Sequence, residues 1–322
     1  PRAGFSRDRR KGLPRGENRL MRLLFSSDLH GNIPLYEELL RLAEEEGADA
    51  VILGGDLLPL KGPFYQRIRE QIEFVSSYLG PALEDFRSRH PHKGLYLLHG
   101  NTDWLPAVRL LEQFAQTGLF HFLHGTIHSV GGSYRIAGYA HVPPTPFIMK
   151  EFERLDLRTS PLPVQQTTPC CSNGSRIVVV NSDEHFRSRP SIEEELETLV
   201  KPPEGSGSLY VLHSPPQGTG LDVITSGEPV GSRAIRNFIQ RRQPRVTLHG
   251  HVHEAPAVSG VYASLIGKTL CINPGQTPTV LHAVFFDPDD LPGSLEHTVY
   301  GRYSPNHADG GLDAASREQG EP

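Results

Sequence analysis

The stretch RLLFSSDLHGN, residues 22–32, runs from a short apolar segment into a polar turn. The apolar half is typical of a strand that is buried on both faces. Residues 33–46 then carry apolar side chains at helical spacing among acids, and the pattern ends at Gly47. Asp28 and His30 lie between the predicted strand and the predicted helix. Because side chains two apart on extended backbone point the same way, Asp28 and His30 can chelate one ion.

The alternation of strand and helix continues beyond this stretch. Residues 50–53 and 95–98 are apolar runs that predict two more buried strands. Residues 65–90 predict a long amphipathic helical region, interrupted or kinked at Gly80-Pro81. This alternation is typical of a mostly parallel sheet with helices packed against it. Further strands are predicted at 120–123, 126–130, 134–137, 176–181, 209–213, 245–249, 270–273 and 280–286, and further helices at 105–116, 191–200 and 232–241.

The chain of 322 residues is long enough for one large α/β domain or two small ones. We expect one domain at residues 21–303. Residues 1–20 are rich in Arg, Gly and Pro and predict a disordered leader; translation upstream of a true start at Met21, or a basic arm, are the alternatives. Residues 141–174 are rich in Pro and Thr and predict a long loop or small cap. Residues 304–322 predict a disordered tail.

Composition excludes several classes of function. The formal net charge of −5 argues against a dedicated nucleic-acid surface, which would carry a basic excess. No apolar run reaches the roughly 18 residues that a membrane span needs, and no signal peptide is recognisable. The three cysteines cannot build a disulfide framework and favour a reducing, cytoplasmic setting. The sequence leaves the oligomeric state open.

Four further blocks place potential metal ligands directly after predicted strands. They are GGD with Asp56, GNTD with Asn101, LHSPP with His213, and GHVH with His251 and His253. In an open α/β sheet, ligands bind at the carboxyl ends of strands. Carboxylate, imidazole and amide ligands without thiolate suit Mn²⁺, Fe, Zn²⁺ or Mg²⁺, and we expect two divalent ions with Mn²⁺ first. Asp56 follows a tight Gly-Gly turn and could bridge two ions about 3.5–4 Å apart.

In their order, the blocks DLH, GGD, GNTD, LHSPP and GHVH resemble the pattern D-x-H, G-D, G-N-H-D/E, H and G-H-x-H of the calcineurin-like metallophosphoesterase superfamily. The resemblance covers roughly residues 22–287. It implies an α/β fold, a four-layer α/β/β/α sandwich of two mixed β-sheets flanked by helices. It also implies seven ligands shared between two ions: Asp28, His30 and His253 at the first, Asn101, His213 and His251 at the second, and Asp56 at both.

The chain departs from the superfamily pattern at Thr102, where the pattern has histidine. In the superfamily that histidine commonly stabilises phosphoryl oxygens and protonates the leaving group, whereas a threonine hydroxyl is a poor general acid. Relatives with another residue there are often regarded as phosphodiesterases. The resemblance therefore implies a binuclear metal-dependent phosphoester hydrolase of small molecules, in which metal-bound hydroxide attacks phosphorus in line and phosphodiesters are favoured over monoesters. The alternative is a catalytically weak or inactive metal-binding interaction module of the same fold.

The residues expected on the substrate side are less constrained. The Asn32 amide could reach a phosphate oxygen, or Asn32 could form the turn into the first helix. His141 and His185 are candidates to replace the missing acid, with an ordinary loop contact as the alternative for each. Asp103 could cap the helix that follows it. The expected roles are catalysis for Asp28, Asp56, Asn101 and His213, and substrate binding for Asn32, Thr102 and His141.

Overall fold

The computed structural model describes residues 21–202 and 207–303. The predicted leader at 1–20 and tail at 304–322 lie outside the described residues. Within the described residues, the α-helices are α1 (Ile33–Glu45), α2 (Arg67–Phe74), α3 (Gly80–Arg89), α4 (Leu105–Gln116), α5 (Ser182–Arg187), α6 (Ile192–Thr198), α7 (Arg233–Arg242) and α8 (Ala255–Ser259).

The strands of the described part follow the same order along the chain. They are β1 (Leu23–Ser26), β2 (Ala50–Gly54), β3 (Gly94–Leu98), β4 (His121–Phe122), β5 (Ile127–Val130), β6 (Tyr134–Tyr139), β7 (Cys170–Asn173), β8 (Arg176–Val179), β9 (Gly207–Leu212), β10 (Val246–Leu248), β11 (Ala263–Ile266), β12 (Thr269–Ile272), β13 (Val284–Phe286), β14 (Glu296–His297) and β15 (Gly301–Arg302).

These strands form two large mixed sheets and one small hairpin. The first sheet has the order β15-β14-β13-β1-β2-β3-β4, and the second has the order β11-β12-β10-β9-β6-β5. Strands β1 to β4 are parallel, as are β6, β9, β10 and β12. Because parallel strands end at the same edge, each sheet gathers its strand-end turns on one side.

Strand β1 shows why the two sheets stack between helices. Its four residues are all buried, as expected of a strand covered on both faces. Leu24 packs in a core cluster with α1, α3 and α4, whereas Leu23 and Phe25 pack in a second cluster with Leu209 and other residues of the second sheet. A third cluster joins the outer face of the second sheet to α6 and α7. The layers therefore run helix, sheet, sheet, helix, and the predicted fold class is confirmed.

The long helical region is interrupted where its sequence indicates, next to Gly80-Pro81. Helix α2 passes into a π-helical turn at Val75–Leu79, and α3 begins at Gly80 with Pro81 in its first turn. Pro81 cannot donate the regular helical hydrogen bond to the preceding turn, and a wider turn is one way to accommodate this.

Residues 141–169 contain isolated bridges and no regular element before the β7–β8 hairpin. No helix of the described residues is both long enough and apolar enough to cross a bilayer.

Candidate metal centre

The five ligand blocks converge at adjoining strand ends of the two sheets. Asp28 follows β1, Asp56 follows β2 and Asn101 follows β3 in the first sheet, while His213 follows β9 and His251 follows β10 in the second. The two sheets are joined there by the His251 N–H, which donates to Asp28 Oδ1 at 3.0 Å. Residues far apart in sequence thus share one small volume.

A first group of ligand atoms comes from Asp28, His30, Asp56 and His253. One such atom from each of the four lies within 4.8 Å of the others. His253 Nε2 is 3.2 Å from Asp28 Oδ1 and 3.1 Å from His30 Nε2. His30 Nε2 is 3.9 Å from Asp56 Oδ2. Two carboxylates and two imidazoles facing one point form a donor set suited to a divalent ion.

A second group consists of Asp56, His213 and His251, again with ligand atoms within 4.8 Å of one another. His213 Nε2 lies 3.5 Å from Asp56 Oδ1. The two Asp56 oxygens therefore face different groups, Oδ2 towards His30 and Oδ1 towards His213. This arrangement allows one carboxylate to be shared by two ions.

Two buried polar atoms without a hydrogen-bond partner in the described structure indicate which kind of ligand the site can bind. His213 Nε2 and Asn101 Oδ1 are buried in the described structure and make no hydrogen bond. Such atoms each cost about 1–3 kcal/mol when left unsatisfied. His213 Nδ1 lies 2.8 Å from the Gly54 carbonyl oxygen, and donation to it leaves the Nε2 lone pair free. The residues present therefore fit a cation, which would satisfy both atoms.

The carboxylates and imidazoles of the centre shift one another's pKa values. Burial alone would raise the pKa of Asp56, but His213 and His30 outweigh burial and lower it. The pKa of Asp28 is likewise lowered, since His253 outweighs its burial. Burial acts to lower the pKa of His213, and Asp56 and Asp28 raise it to about 9. Both carboxylates stay ionised near neutral pH, and an ion that binds His213 must displace its proton.

Backbone strain is concentrated at the same place. In the described part of the chain, five residues other than glycine have positive φ. Four of them belong to the two ligand groups: Asp28 (60°), His30 (45°), Asp56 (51°) and His251 (67°). Such conformations cost energy and persist where the surroundings enforce them, often at functional sites. Asp and His adopt this conformation more often than most residues, but neither residue type requires it. The extended backbone predicted for Asp28 and His30 is therefore wrong.

Two glycines permit the close approach of the loops. A Cβ atom at Gly100 would overlap Asp56, and a Cβ at Gly250 would overlap Ser27 and Asp28. Both glycines precede predicted ligands, Asn101 and His251. Their role is therefore space for a neighbouring carboxylate.

The prediction that Asp103 caps the following helix is wrong. Trp104 is the N-cap of α4, and it makes no side-chain capping bond. The Asp103 carboxylate turns inward and accepts the Gly100 N–H at 2.8 Å, the Leu58 N–H at 2.9 Å and the Leu57 N–H at 3.2 Å. Burial and the nearby Asp56 charge raise the pKa of Asp103 to about 7. Asp103 thus ties the Asp56 loop to the Asn101 loop.

The side-chain amides of Asn273 and Gln276 connect the loops around the same centre through hydrogen bonds to backbone carbonyl oxygens. The Asn273 amide donates to the carbonyl oxygens of Leu221 (2.9 Å) and Val252 (3.1 Å). The Gln276 amide donates to the Ser27 carbonyl oxygen at 3.1 Å. Sequence reasoning missed Gln276, which no motif marks.

The residues expected on the substrate side occupy different surroundings. The Thr102 N–H donates to Asp56 Oδ1 at 2.9 Å, and Thr102 Oγ1 is buried without a partner in the described structure. The Asn32 amide donates to the Pro278 carbonyl oxygen at 2.7 Å. His141 Nδ1 lies 2.5 Å from Glu195 Oε2. Thr102 is thus in direct contact with the ligand groups, and substrate binding by these three residues stays a prediction.

His185, the other candidate acid, is buried beside a backbone carbonyl. Its Nε2 lies 2.7 Å from the Lys150 carbonyl oxygen, and its Nδ1 is 2.8 Å from Arg189 Nη1. Both ring nitrogens are therefore engaged away from the ligand groups.

The fold and the two ligand groups define a candidate binuclear metal site at the strand ends of an α/β sandwich. The family model for calcineurin-like phosphoesterases matches residues 21–255. The chain belongs to this family, whose members are binuclear metal-dependent enzymes, and the resemblance read from the sequence is confirmed. No curated protein matches the sequence significantly.

A solved structure with a TM-score above 0.5 supports the fold. The crystal structure of TT1561 of Thermus thermophilus is 16% identical, with a TM-score of 0.54 over 86% of this chain and 98% of that one. An archaeal phosphodiesterase (12% identity, 86% and 98% coverage) and the phosphoesterase Yfce from E. coli (13% identity, 83% and 88% coverage) have TM-scores of 0.38 and 0.33. At these identities the likeness concerns the fold alone, and only the first score supports it.

Proposed function

We propose that this protein is a binuclear metal-dependent phosphodiesterase that hydrolyses small-molecule phosphoesters. The observation that carries the proposal is the position of Asp56, whose two oxygens face two separate groups of ligand atoms. Family membership supports phosphoester hydrolysis, and the geometry supports two ions rather than one.

The ligand assignment follows from the two groups. Asp28, His30 and His253 would hold one ion, and Asn101, His213 and His251 would hold the other, with Asp56 shared between them. Asn101 is included because its buried Oδ1 lacks a partner. Mn²⁺ is the proposed ion, with Fe, Zn²⁺ or Mg²⁺ as alternatives for the same donors.

When bound, two divalent ions neutralise phosphate charge and acidify water enough to supply a nucleophile near neutral pH. The chain's own residues hold the geometry in which this chemistry can occur. Asp103 and Gly100 fix the approach of the Asp56 and Asn101 loops, and Asn273 fixes the loop that carries His251 and His253. Asn32 lies at the start of α1, where its amide donates to the Pro278 carbonyl oxygen. It remains our proposed contact for a phosphate oxygen.

Thr102 supports the preference for diesters. Its backbone N–H is committed to Asp56, and its side chain offers no group that can protonate a leaving oxygen near neutral pH. Loss of general-acid help typically costs about 10²–10⁴-fold in rate. Substrates with good leaving groups need less protonation, so their rate of hydrolysis falls least. His141 is the proposed substitute contact on the substrate side, held by Glu195.

The test uses bis(4-nitrophenyl) phosphate and 4-nitrophenyl phosphate with added Mn²⁺. We expect higher kcat/KM for the diester and loss of at least about 100-fold in the Asp56→Ala variant. Asp85→Ala, an exposed carboxylate on α3, is the matched control and should leave activity unchanged. Activity that survives Asp56→Ala would sink the two-ion proposal. If the chain binds two ions but hydrolyses neither substrate, the result would instead favour an interaction module.

A further inference from the structure

Three arginines line an open groove beside the second sheet. Arg158, Arg187 and Arg189 surround a volume of about 390 Å³, together with side chains from α6. The groove lies apart from the two ligand groups, and none of its lining residues belongs to them. Three guanidinium groups and the carboxylates of Glu194 and Glu195 line this volume, which leaves a positive balance in a protein whose formal net charge is −5.

In the described residues 21–202 and 207–303, none of these three cations forms a direct ion pair. No carboxylate oxygen there lies within 4.0 Å of a side-chain nitrogen of Arg158, Arg187 or Arg189. The carboxylates that line the groove are committed elsewhere. Glu194 accepts from the N–H and hydroxyl of Ser191, at 2.8 and 3.0 Å.

Glu195 is the second carboxylate of the groove, and its oxygens are also taken. Its Oε1 accepts from Arg154 Nε at 3.1 Å, and its Oε2 accepts from the Tyr139 hydroxyl at 2.6 Å and lies 2.5 Å from His141 Nδ1. Both carboxylates therefore offset part of the positive charge of the groove, but neither bonds directly to a groove arginine.

Arg189 is the most confined of the three. Its guanidinium is half-buried, and its Nη1 contacts Nδ1 and the carbonyl oxygen of His185, at 2.8 and 2.9 Å. Burial and the like charge of Arg154 lower the pKa of Arg189. A buried charge held beside another cation is costly, and an anion in the groove would offset that cost.

We propose that the Arg158–Arg187–Arg189 groove binds the phosphate group of a small phosphorylated molecule. Guanidinium groups present paired N–H donors that match phosphate oxygens, and Arg is the preferred residue for such recognition. A volume of about 390 Å³ accommodates more than a bare phosphate, within the usual range for small-ligand sites. The proposal does not depend on the activity of the metal centre.

The groove is nevertheless connected to the proposed centre through Glu195. Glu195 holds Tyr139 and His141 at the end of β6, and the Tyr139 carbonyl oxygen accepts the His213 N–H at 3.0 Å. The phosphate bound in the groove is either a second part of the substrate or a group of a separate ligand.

The experiment titrates inorganic phosphate into the full chain by calorimetry. The Arg158→Gln/Arg187→Gln double variant should bind phosphate at least about tenfold more weakly, because both residues are exposed and can be changed without disturbing the core. Arg242→Gln, an exposed arginine on α7 outside the groove, is the matched control and should bind like the wild type. Asp56→Ala removes the metal centre as a competing phosphate site. Binding that survives Asp56→Ala and is lost in the double variant supports the groove.

Equal phosphate affinity in the double variant and the wild type would overturn the proposal, as would binding lost only in Asp56→Ala. A second titration with adenosine 5′-diphosphate separates the two sources of phosphate. A single bound molecule per chain, with an affinity that falls in both variants, assigns the phosphate to a molecule that spans both sites. Affinity that falls only in the double variant assigns it to a separate ligand.

Discussion

Replacing Gly100 with alanine tests whether the position of Asp56 controls activity. The backbone of Gly100 is not in the left-handed region, so alanine introduces no conformational strain there. Its Cβ would, however, overlap the Asp56 backbone nitrogen and Oδ1, and would lie 2.7 Å from Asp56 Cγ. Since carbon atoms in contact prefer about 3.5–4.0 Å, and rotation of the carboxylate does not relieve the backbone overlap, the Asp56 turn or the Asn101 turn must move by about 1 Å.

The expected cost follows from that displacement. A misplacement of about 1 Å at a reacting centre can cost about 10²-fold in rate, which corresponds to about 2.7 kcal/mol. Overpacking of this kind also lowers stability by about 1–3 kcal/mol. We therefore expect kcat/KM for bis(4-nitrophenyl) phosphate to fall about 100-fold while the variant still folds.

Gly94→Ala separates the loss of activity from the loss of stability. A Cβ at Gly94 would lie 2.6 Å from Tyr96 Cε2 at the start of β3, the opposite end of the strand from Asn101, and this milder overlap involves side chains alone. It should lower stability and leave kcat/KM unchanged. Steady-state kinetics and urea unfolding of both variants give the comparison. A folded Gly100→Ala variant with kcat/KM within about twofold of the wild type would refute the reasoning.

Three further outcomes are expected. Thr102→His should restore a general acid and raise the rate on an alkyl monoester by about tenfold or more, with little effect on a 4-nitrophenyl diester; equal effects on both would contradict the role given to Thr102. Burial acts to raise the pKa of Glu195, but the bonds from His141, Tyr139 and Arg154 lower this pKa to about 2. The ionised Glu195 therefore contributes to the stability of the fold above about pH 4.5, and this contribution is lost as the pH falls towards 2. Urea unfolding should thus show that Glu195→Gln is less stable than the wild type by at most about 3 kcal/mol at pH 7 and by less at pH 3.5. A stability difference that stays the same at the two pH values would contradict the assignment. Chelation with EDTA should lower Tm, because ions that bind only the folded chain stabilise it, and the shift should be smaller in Asp56→Ala; equal shifts would count against Asp56 as a ligand.

The ligand blocks were predictable because their chemistry is local. Each block places carboxylate, imidazole or amide groups directly after an apolar run, and strand ends gather at one edge. Which sheet each strand joins was not readable from periodicity. β1 and β10 lie in different sheets, yet the Asp28 carboxylate accepts the His251 N–H. Such pairing is set by long-range contacts, and only the family resemblance implied two sheets.

The positioning residues were harder to predict for the same reason. Asp103 precedes a helix, so local rules indicated a cap, but its carboxylate binds Leu57 and Leu58 in a loop that is distant in sequence. Positive φ at Asp28 and Asp56 is enforced by neighbouring loops rather than by residue type. Gln276 acts through one side-chain amide that no motif distinguishes.

The central claim is that Asp56 is shared by two ions, and the metal content of the purified chain tests it most directly. The wild type and Asp56→Ala are loaded with Mn²⁺, desalted and analysed by mass spectrometry of the metal. The account predicts two ions per wild-type chain and fewer than one per Asp56→Ala chain, because both ligand groups lose an oxygen. A wild-type chain that retains one ion or none, or an Asp56→Ala chain that retains two, would contradict it.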